Sequence, residues 1–479
     1  MENDSFRIES DFLGEKEIPE EAYYGVQTQR AHDNFPITGH KIDEHLIKAL
    51  GIVKKSAAQA NMEVGQLDEE LAKPIIAAAE EVLTGRFNDQ FILDPIQGGA
   101  GTSSNMNANE VVANRALELI GAEKGDYEKI SPSTHVNMSQ STNDIFPTAN
   151  RLAMITMLGK LRTQMELLYE AFMTKAKEFY PILKMGRTHL QDAVPIRLGQ
   201  EFEAYGAVLK RDIERIQDAE KYLYEVSMGG TAVGTGLNAE PMYIQHVIKY
   251  LRENSGLDVR GAANLIDGTQ NTDAYTGLSA SLKITMLNLS KIANDIRLMS
   301  SGPRAGLTEI TLPSRQAGSS IMPGKVNPVM AEVINQIAFQ VYGNDHTVSM
   351  ASEAGQFELN VMEPVLVYNL KESIKVMTNG MEVFRKYCLD GITANVDHLA
   401  EVMNNTIGII TAINPHIGYE KATTIAEEAF ETGVPVRDIC VEKGFLSAED
   451  LDKILDPYGM TEPGISAAEL LDKKLIVTK

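Results

Sequence analysis

Between Pro147 and Pro181 the chain contains no proline, and Ile155, Leu158, Leu161, Met165, Leu168, Phe172, Ala176 and Phe179 recur at steps of three and four. That is the period of an amphipathic helix. At 1.5 Å per residue, about 30 residues make a rod of roughly 45 Å, which cannot fold back on itself. The pattern returns through Phe202, Tyr205, Leu209, Ile213, Ile216, Leu223 and Val226. Tyr275, Leu278, Leu282, Leu289, Ile292, Ile296 and Met299 carry it again, as do Leu370, Ile374, Met377, Met381, Phe384 and Cys388 after Pro364. Asn327-Pro328 reads as an N-cap followed by proline at the first helical position, opening a further helix to about Gly343. Five long helices in one stretch predict a mainly α chain built on a bundle. Met157, Leu167, Val208 and Leu287 lie off the main apolar stripes, so these helices want partners on more than one side. That favours an oligomer, with one large monomeric bundle as the other reading.

Around this centre, residues 1–145 mix short helical patterns with loops, and residues 393–479 break into short helices with several glycines and prolines. The expected division is therefore 1–145, 146–392 and 393–479. A chain of 479 residues is long enough for two or three domains. Its 44 basic and 66 acidic side chains leave a formal charge of −22. Such a field repels nucleic acid and anionic membranes, so neither is an expected partner. It also repels small dicarboxylates at long range, so an anion site must rely on local donors. Cys388 and Cys440 form neither a metal-spaced pair nor a disulfide framework. The acidic start MENDSFRIESDFLG lacks an apolar signal core, and no run of about 18 apolar residues occurs. A cytoplasmic protein is expected.

Four stretches interrupt the apolar pattern with small polar residues: Gly98–Glu110 (GGAGTSSNMNANE), Asn137–Asp144 (NMSQSTND), Gly186–Ala193 (GRTHLQDA) and Gly318–Pro328 (GSSIMPGKVNP). Taken singly, each reads as capping or turn formation. His189 alone reads as a structural histidine and Lys325 as a solvated charge. Together they supply many neutral donors, one histidine and one lysine, a set suited to a small dianion. Gly318 and Gly324 bracket Ser319 and Ser320, as in a loop that closes over a ligand. There is no GxxxxGK[ST] loop, and GGTAVGTG at Gly229–Gly236 does not match the GxGxxG spacing. Neither HExxH nor GxSxG occurs, and the nine histidines do not pair at metal-ligand spacing.

GSSIMPGKVNP resembles the signature loop of the aspartase/fumarase superfamily, with no departure in its GSSxMPxKxN core. The resemblance extends from DFLGEKEIP and YYGVQTQRA to INPHIGYEKA, nearly the whole chain. It implies a mainly α, three-domain subunit of a homotetramer, with five long helices from each subunit at its centre. Ser141-Thr142-Asn143-Asp144 stands where class II fumarases usually have SSND, GGAGTSSNMN where they have a loop like GSGTQSNMN, and Val329 where they have Thr. All three differences match the aspartate ammonia-lyases. Ala331 replaces a proline common there, and some aspartases have alanine at Gly324.

The resemblance implies conversion of L-aspartate to fumarate and ammonium without a cofactor, and no metal-ligand residues are expected in the site. Thr102, Ser141, Thr142 and Ser320 match residues that hold the β-carboxylate as it becomes an aci-carboxylate. Thr188, Lys325 and Asn327 match those that hold the α-carboxylate, and Asn143 and His189 those that meet the amino group. Ser319 matches the base that removes the Cβ proton. In the family, three subunits build each site. Class II fumarase is the alternative. A non-catalytic structural protein on the same fold is more remote, because Ser319, Lys325, Asn327 and His189 occur together.

Overall fold

The computed structural model describes residues 5–471. The first four and last eight residues of the expected terminal segments lie outside that range. The chain is mainly α-helical. Strands occur, among the described residues, only as two-stranded pairs: Phe6–Asp11 with Gly14–Pro19, Leu183–Thr188 with Gln191–Arg197, Glu225–Val226 with Arg260–Gly261, and Ile310–Thr311 with Thr393–Ala394.

The five long helices are Thr142–Phe179, Leu198–Glu220, Asp273–Met299, Val329–Glu353 and Glu363–Tyr387. The first begins before Pro147 and encloses that proline. In the second turn the missing N–H forfeits only one backbone bond. The second ends at Glu220, so Leu223 and Val226 lie in a 3₁₀ turn and a short strand. The fourth continues ten residues past Gly343, because buried Asn344, Asp345, Val348 and Ala351 maintain its inner face. Gly343 costs an exposed helix only about 1 kcal/mol relative to alanine. The first 145 residues are also more regular than expected, with helices at Glu44–Glu63, Glu69–Leu83 and Thr102–Leu119. Met157 is buried within the chain, whereas Leu167 and Leu287 are exposed.

The chain forms two compact units, and each long helix contributes a segment to both. The first comprises the stretch up to Thr163, Asp212–Leu287 and Ile337–Asn379. Here the Glu44–Glu63 helix packs against Glu69–Leu83 and Pro241–Ser255, burying Leu50, Val53 and Ala57 completely. Polar ties join the long helices: the Tyr275 hydroxyl donates to the Pro147 carbonyl at 3.1 Å, Ser279 to Asp345 at 2.9 Å, and Asn344 to Ser373 at 3.0 Å.

The second unit comprises Gln164–Arg211, Asn288–Gln336 and the chain from Gly380 onward. The Phe202 ring stacks edge-on against Phe179 at 5.1 Å, and the Asn335 amide donates to Ser290 at 2.8 Å. Five short helices between Val396 and Ile454 surround a core that includes Ile413, Ile425, Ile439, Cys440, Leu451 and Ile454. No helix of the described residues is long and apolar enough to cross a membrane.

Candidate active site

In the first unit, Thr102 and Thr142 each open a helix, and the two N-termini meet. Gly99, Ala100 and Gly101 all have positive φ, which turns the chain sharply into Thr102. A Cβ on Gly101 would lie 2.5 Å from the Phe146 ring on the neighbouring helix, so only glycine permits this approach. Ser141 accepts the Asn143 N–H at 3.2 Å, its own N–H donates to Asp144 at 3.0 Å, and the Asn143 amide donates to the Ala232 carbonyl at 2.6 Å. The structure thus brings Thr102, Ser141, Thr142 and Asn143 together at two helix N-termini, whose dipoles favour an anion.

Behind these hydroxyls lies a polar network that the motifs show only in part. Lys54 on the Glu44–Glu63 helix is fully buried and donates to Asn105 Oδ1 at 2.6 Å, Gln140 Oε1 at 2.8 Å and Asn137 Oδ1 at 3.1 Å. Asn105 Nδ2 donates in turn to Thr142 Oγ1 at 3.2 Å. Burial pulls the Lys54 ammonium down to about 7, and the charge of Asp144 pulls it back up. Asp144, also fully buried, accepts the N–H groups of Gly229 and Thr231 at 3.1 and 2.9 Å. Its carboxyl is pushed up to about 6 by burial, against those bonds. Asn105, Asn137, Gln140 and Asp144 fall inside the polar stretches of the sequence. Lys54 had no such signal, because Lys54-Lys55 in an amphipathic run reads as a solvated face.

In the second unit, Thr188 and Gln191 close a two-residue hairpin turn formed by His189 and Leu190, both with positive φ and both exposed. Positive φ at a leucine is a genuine outlier, and such strain tends to mark functional positions. The hairpin is anchored by ions: Lys184 pairs with Glu201 at 2.9 Å and Glu309 at 2.6 Å, and Arg187 with Glu309 at 2.5 Å.

Ser319, Ser320, Lys325 and Asn327 lie on one loop in the same unit. The Gly318 N–H donates to the Lys325 carbonyl at 2.8 Å, and Asn327 Nδ2 to the Gly318 carbonyl at 2.8 Å. Asn327 therefore closes the loop; the first helical carbonyl of Val329–Glu353 belongs to Pro328, which accepts the Glu332 N–H at 3.0 Å. Asn327 is not the side-chain N-cap expected from sequence, because its amide is turned back to the loop. Ser319 Oγ accepts the N–H groups of Ile321 and Met322 at 3.2 and 3.0 Å. The loop borders a cavity of about 450 Å³ lined in part by Ser319, Met322 and Lys325. Lys325 is exposed and Ser319 half-buried. Among the described residues no hydrogen bond or ion pair joins the hairpin turn to this loop. No group of His, Cys, Asp and Glu among them is arranged to hold a metal ion.

The sequence matches the model of a family described as Lyase over residues 14–343, and that of the Fumarase C C-terminus over residues 409–462. Aspartate ammonia-lyase of Bacillus subtilis is 63% identical over 98% of both chains. Aspartate ammonia-lyase of Escherichia coli K12 is 47% identical over 98% of this chain and 99% of that one. Among solved structures, a fumarate lyase:delta crystallin from Brucella melitensis bound to cobalt superposes with a TM-score of 0.93 at 47% identity, covering 96% of this chain and all of that one. A class II fumarase from Schistosoma mansoni gives a TM-score of 0.92 at 33% identity, with the same coverage. The chain belongs to the aspartase/fumarase superfamily of lyases and falls, by sequence, with its aspartate ammonia-lyases.

Proposed function

We propose that this chain is a carbon–nitrogen lyase that converts L-aspartate reversibly to fumarate and ammonium. The observation that carries this reading is 63% identity over nearly the full length to an aspartate ammonia-lyase, against 33% to the class II fumarase.

Removal of a proton from Cβ is difficult because that carbon is a weak acid. The electron pair must move into the β-carboxylate, giving a dianionic aci-carboxylate, so catalysis rests on donors aimed at those oxygens. Thr102, Ser141 and Thr142 at the two helix N-termini, with Ser320, fill that role. Lys325, Thr188 and Asn327 hold the α-carboxylate, and Asn143 and His189 meet the amino group. Ser319 is the base. A serine hydroxyl needs activation, and the two backbone N–H groups on its Oγ favour the alkoxide. Ser319 takes the Cβ proton; the electron pair returns from the aci-carboxylate to form the Cα–Cβ double bond as Cα–N breaks. Ammonia leaves with the bonding pair and becomes ammonium, while Ser319 passes its proton to solvent. The carboxylate is itself the electron sink, so the reaction needs no cofactor.

The site is composite in this reading. The chain acts as a homotetramer in which the Thr142, His189 and Ser319 segments of each site come from three subunits. Exposed Leu167 and Leu287 on the long helices support further helix packing. The protein works in the cytoplasm, with no nucleic-acid or membrane partner. The test is ultraviolet absorbance of fumarate after adding L-aspartate, with L-malate as comparator. Fumarate from aspartate and negligible reaction of malate is the expected result; comparable turnover of malate would leave a fumarase.

A further inference from the structure

Lys54 is a fully buried cation with no carboxylate among its described hydrogen-bond partners. All three of its described hydrogen bonds go to neutral amide oxygens, at 2.6, 2.8 and 3.1 Å. An ammonium only donates, so each of these amides must turn its oxygen toward Lys54 and its nitrogen away. For Asn105 that leaves Nδ2 facing Thr142 Oγ1 at 3.2 Å and Asn137 Oδ1 at 3.1 Å. Thr142 must then accept from Asn105, and its single hydroxyl proton is free for a group in front of the helix N-terminus. Without the ammonium the Asn105 amide could turn over, and its oxygen would draw the Thr142 proton inward.

We propose that Lys54 is a positioning residue: through Asn105 it orients the Thr142 hydroxyl so that its proton faces the substrate carboxylate. The inference rests on the reading above, in which Thr142 donates to the β-carboxylate. It adds a residue that never touches substrate but fixes the polarity of a donor that does. A donor aimed at a growing charge matters more in the transition state than in the ground state. Loss of Lys54 therefore lowers kcat more than it raises KM.

The experiment is a double-mutant cycle on the full-length assembled protein, with Lys54→Met and Thr142→Val singly and combined, read as kcat and KM for L-aspartate. Lys54→Met is expected to lower kcat at least about tenfold with a smaller change in KM, but to cost less than about threefold more once the Thr142 hydroxyl is gone. Asn105→Asp provides a second route if Lys54→Met does not fold. It keeps an acceptor for Lys54 but cannot donate to Thr142, so it should lower kcat similarly and likewise lose its effect beside Thr142→Val. A loss of equal size in both backgrounds would assign Lys54 a merely structural role and overturn the proposal, as would an unchanged kcat in the foldable variant. Failure of the wild type itself to make fumarate from aspartate would instead strike the functional reading.

Discussion

The Gly318 N–H donates to the Lys325 carbonyl at 2.8 Å, and a Cβ on Gly318 would lie 2.5 Å from that oxygen. No side chain fits at this crossing. The closure places Ser319 directly after it, with Oγ under two backbone N–H groups. Ser319→Ala removes the proposed base without touching the crossing. It should lower kcat by at least about 10³-fold, within the range for losing a positioned acid or base. Circular dichroism and oligomeric state should remain those of the wild type. Retention of more than a tenth of the activity would put the base elsewhere, with His189 next to test.

Lys325→Met nearly preserves side-chain length but removes a charged donor to the α-carboxylate. Such a bond is worth about 1.5–3 kcal/mol, so kcat/KM should fall at least roughly tenfold. An unchanged kcat/KM would reduce Lys325 to a solvated loop charge.

The pH profile should carry the signature of Lys54. Burial lowers its ammonium to about 7, so the free protein loses this proton as pH rises through that value. The protonated form is the one that orients Asn105. One component of kcat/KM, which reports the free protein, should therefore fall above about 7. In the complex the negative charge of the bound substrate carboxylate favours the ammonium, so kcat should persist to higher pH than kcat/KM. Lys54→Met should lack this limb; if it keeps the wild-type alkaline profile, another group titrates there.

The five long helices were legible in the sequence because a 3.6-residue period repeated over many turns leaves little ambiguity, and the polar stretches stood out against it. Their ends were less legible. Pro147 looked like a boundary because the capping at Ser141 lies well before Ile155, where the apolar stripe becomes regular. Asn327 looked like an N-cap because its tie to Gly318 spans nine residues and no local pattern encodes it. His189 and Leu190 do not advertise a left-handed turn, since neither is glycine or asparagine. Lys54 was invisible for a different reason: burial is a property of neighbours on two other segments, and its own flanks look solvated.

Mixed assemblies test the sharing of the site. Ser319→Ala and the double variant Ser141→Ala/Thr142→Val should each be nearly inactive alone. Refolded together at equal concentration into verified mixed tetramers, about one quarter of sites should combine an intact Ser319 segment with an intact Thr142 segment. Activity near a quarter of wild type is expected. No recovery would mean that the two segments meet within a single chain.

The central claim, that ammonium rather than water is the partner of fumarate, is tested most directly in the reverse direction. Purified protein is given fumarate with and without an ammonium salt, and the loss of fumarate absorbance is followed. Rapid loss only with ammonium, with L-aspartate as the product, is the predicted result. Equal loss without ammonium, with malate as the product, would contradict it.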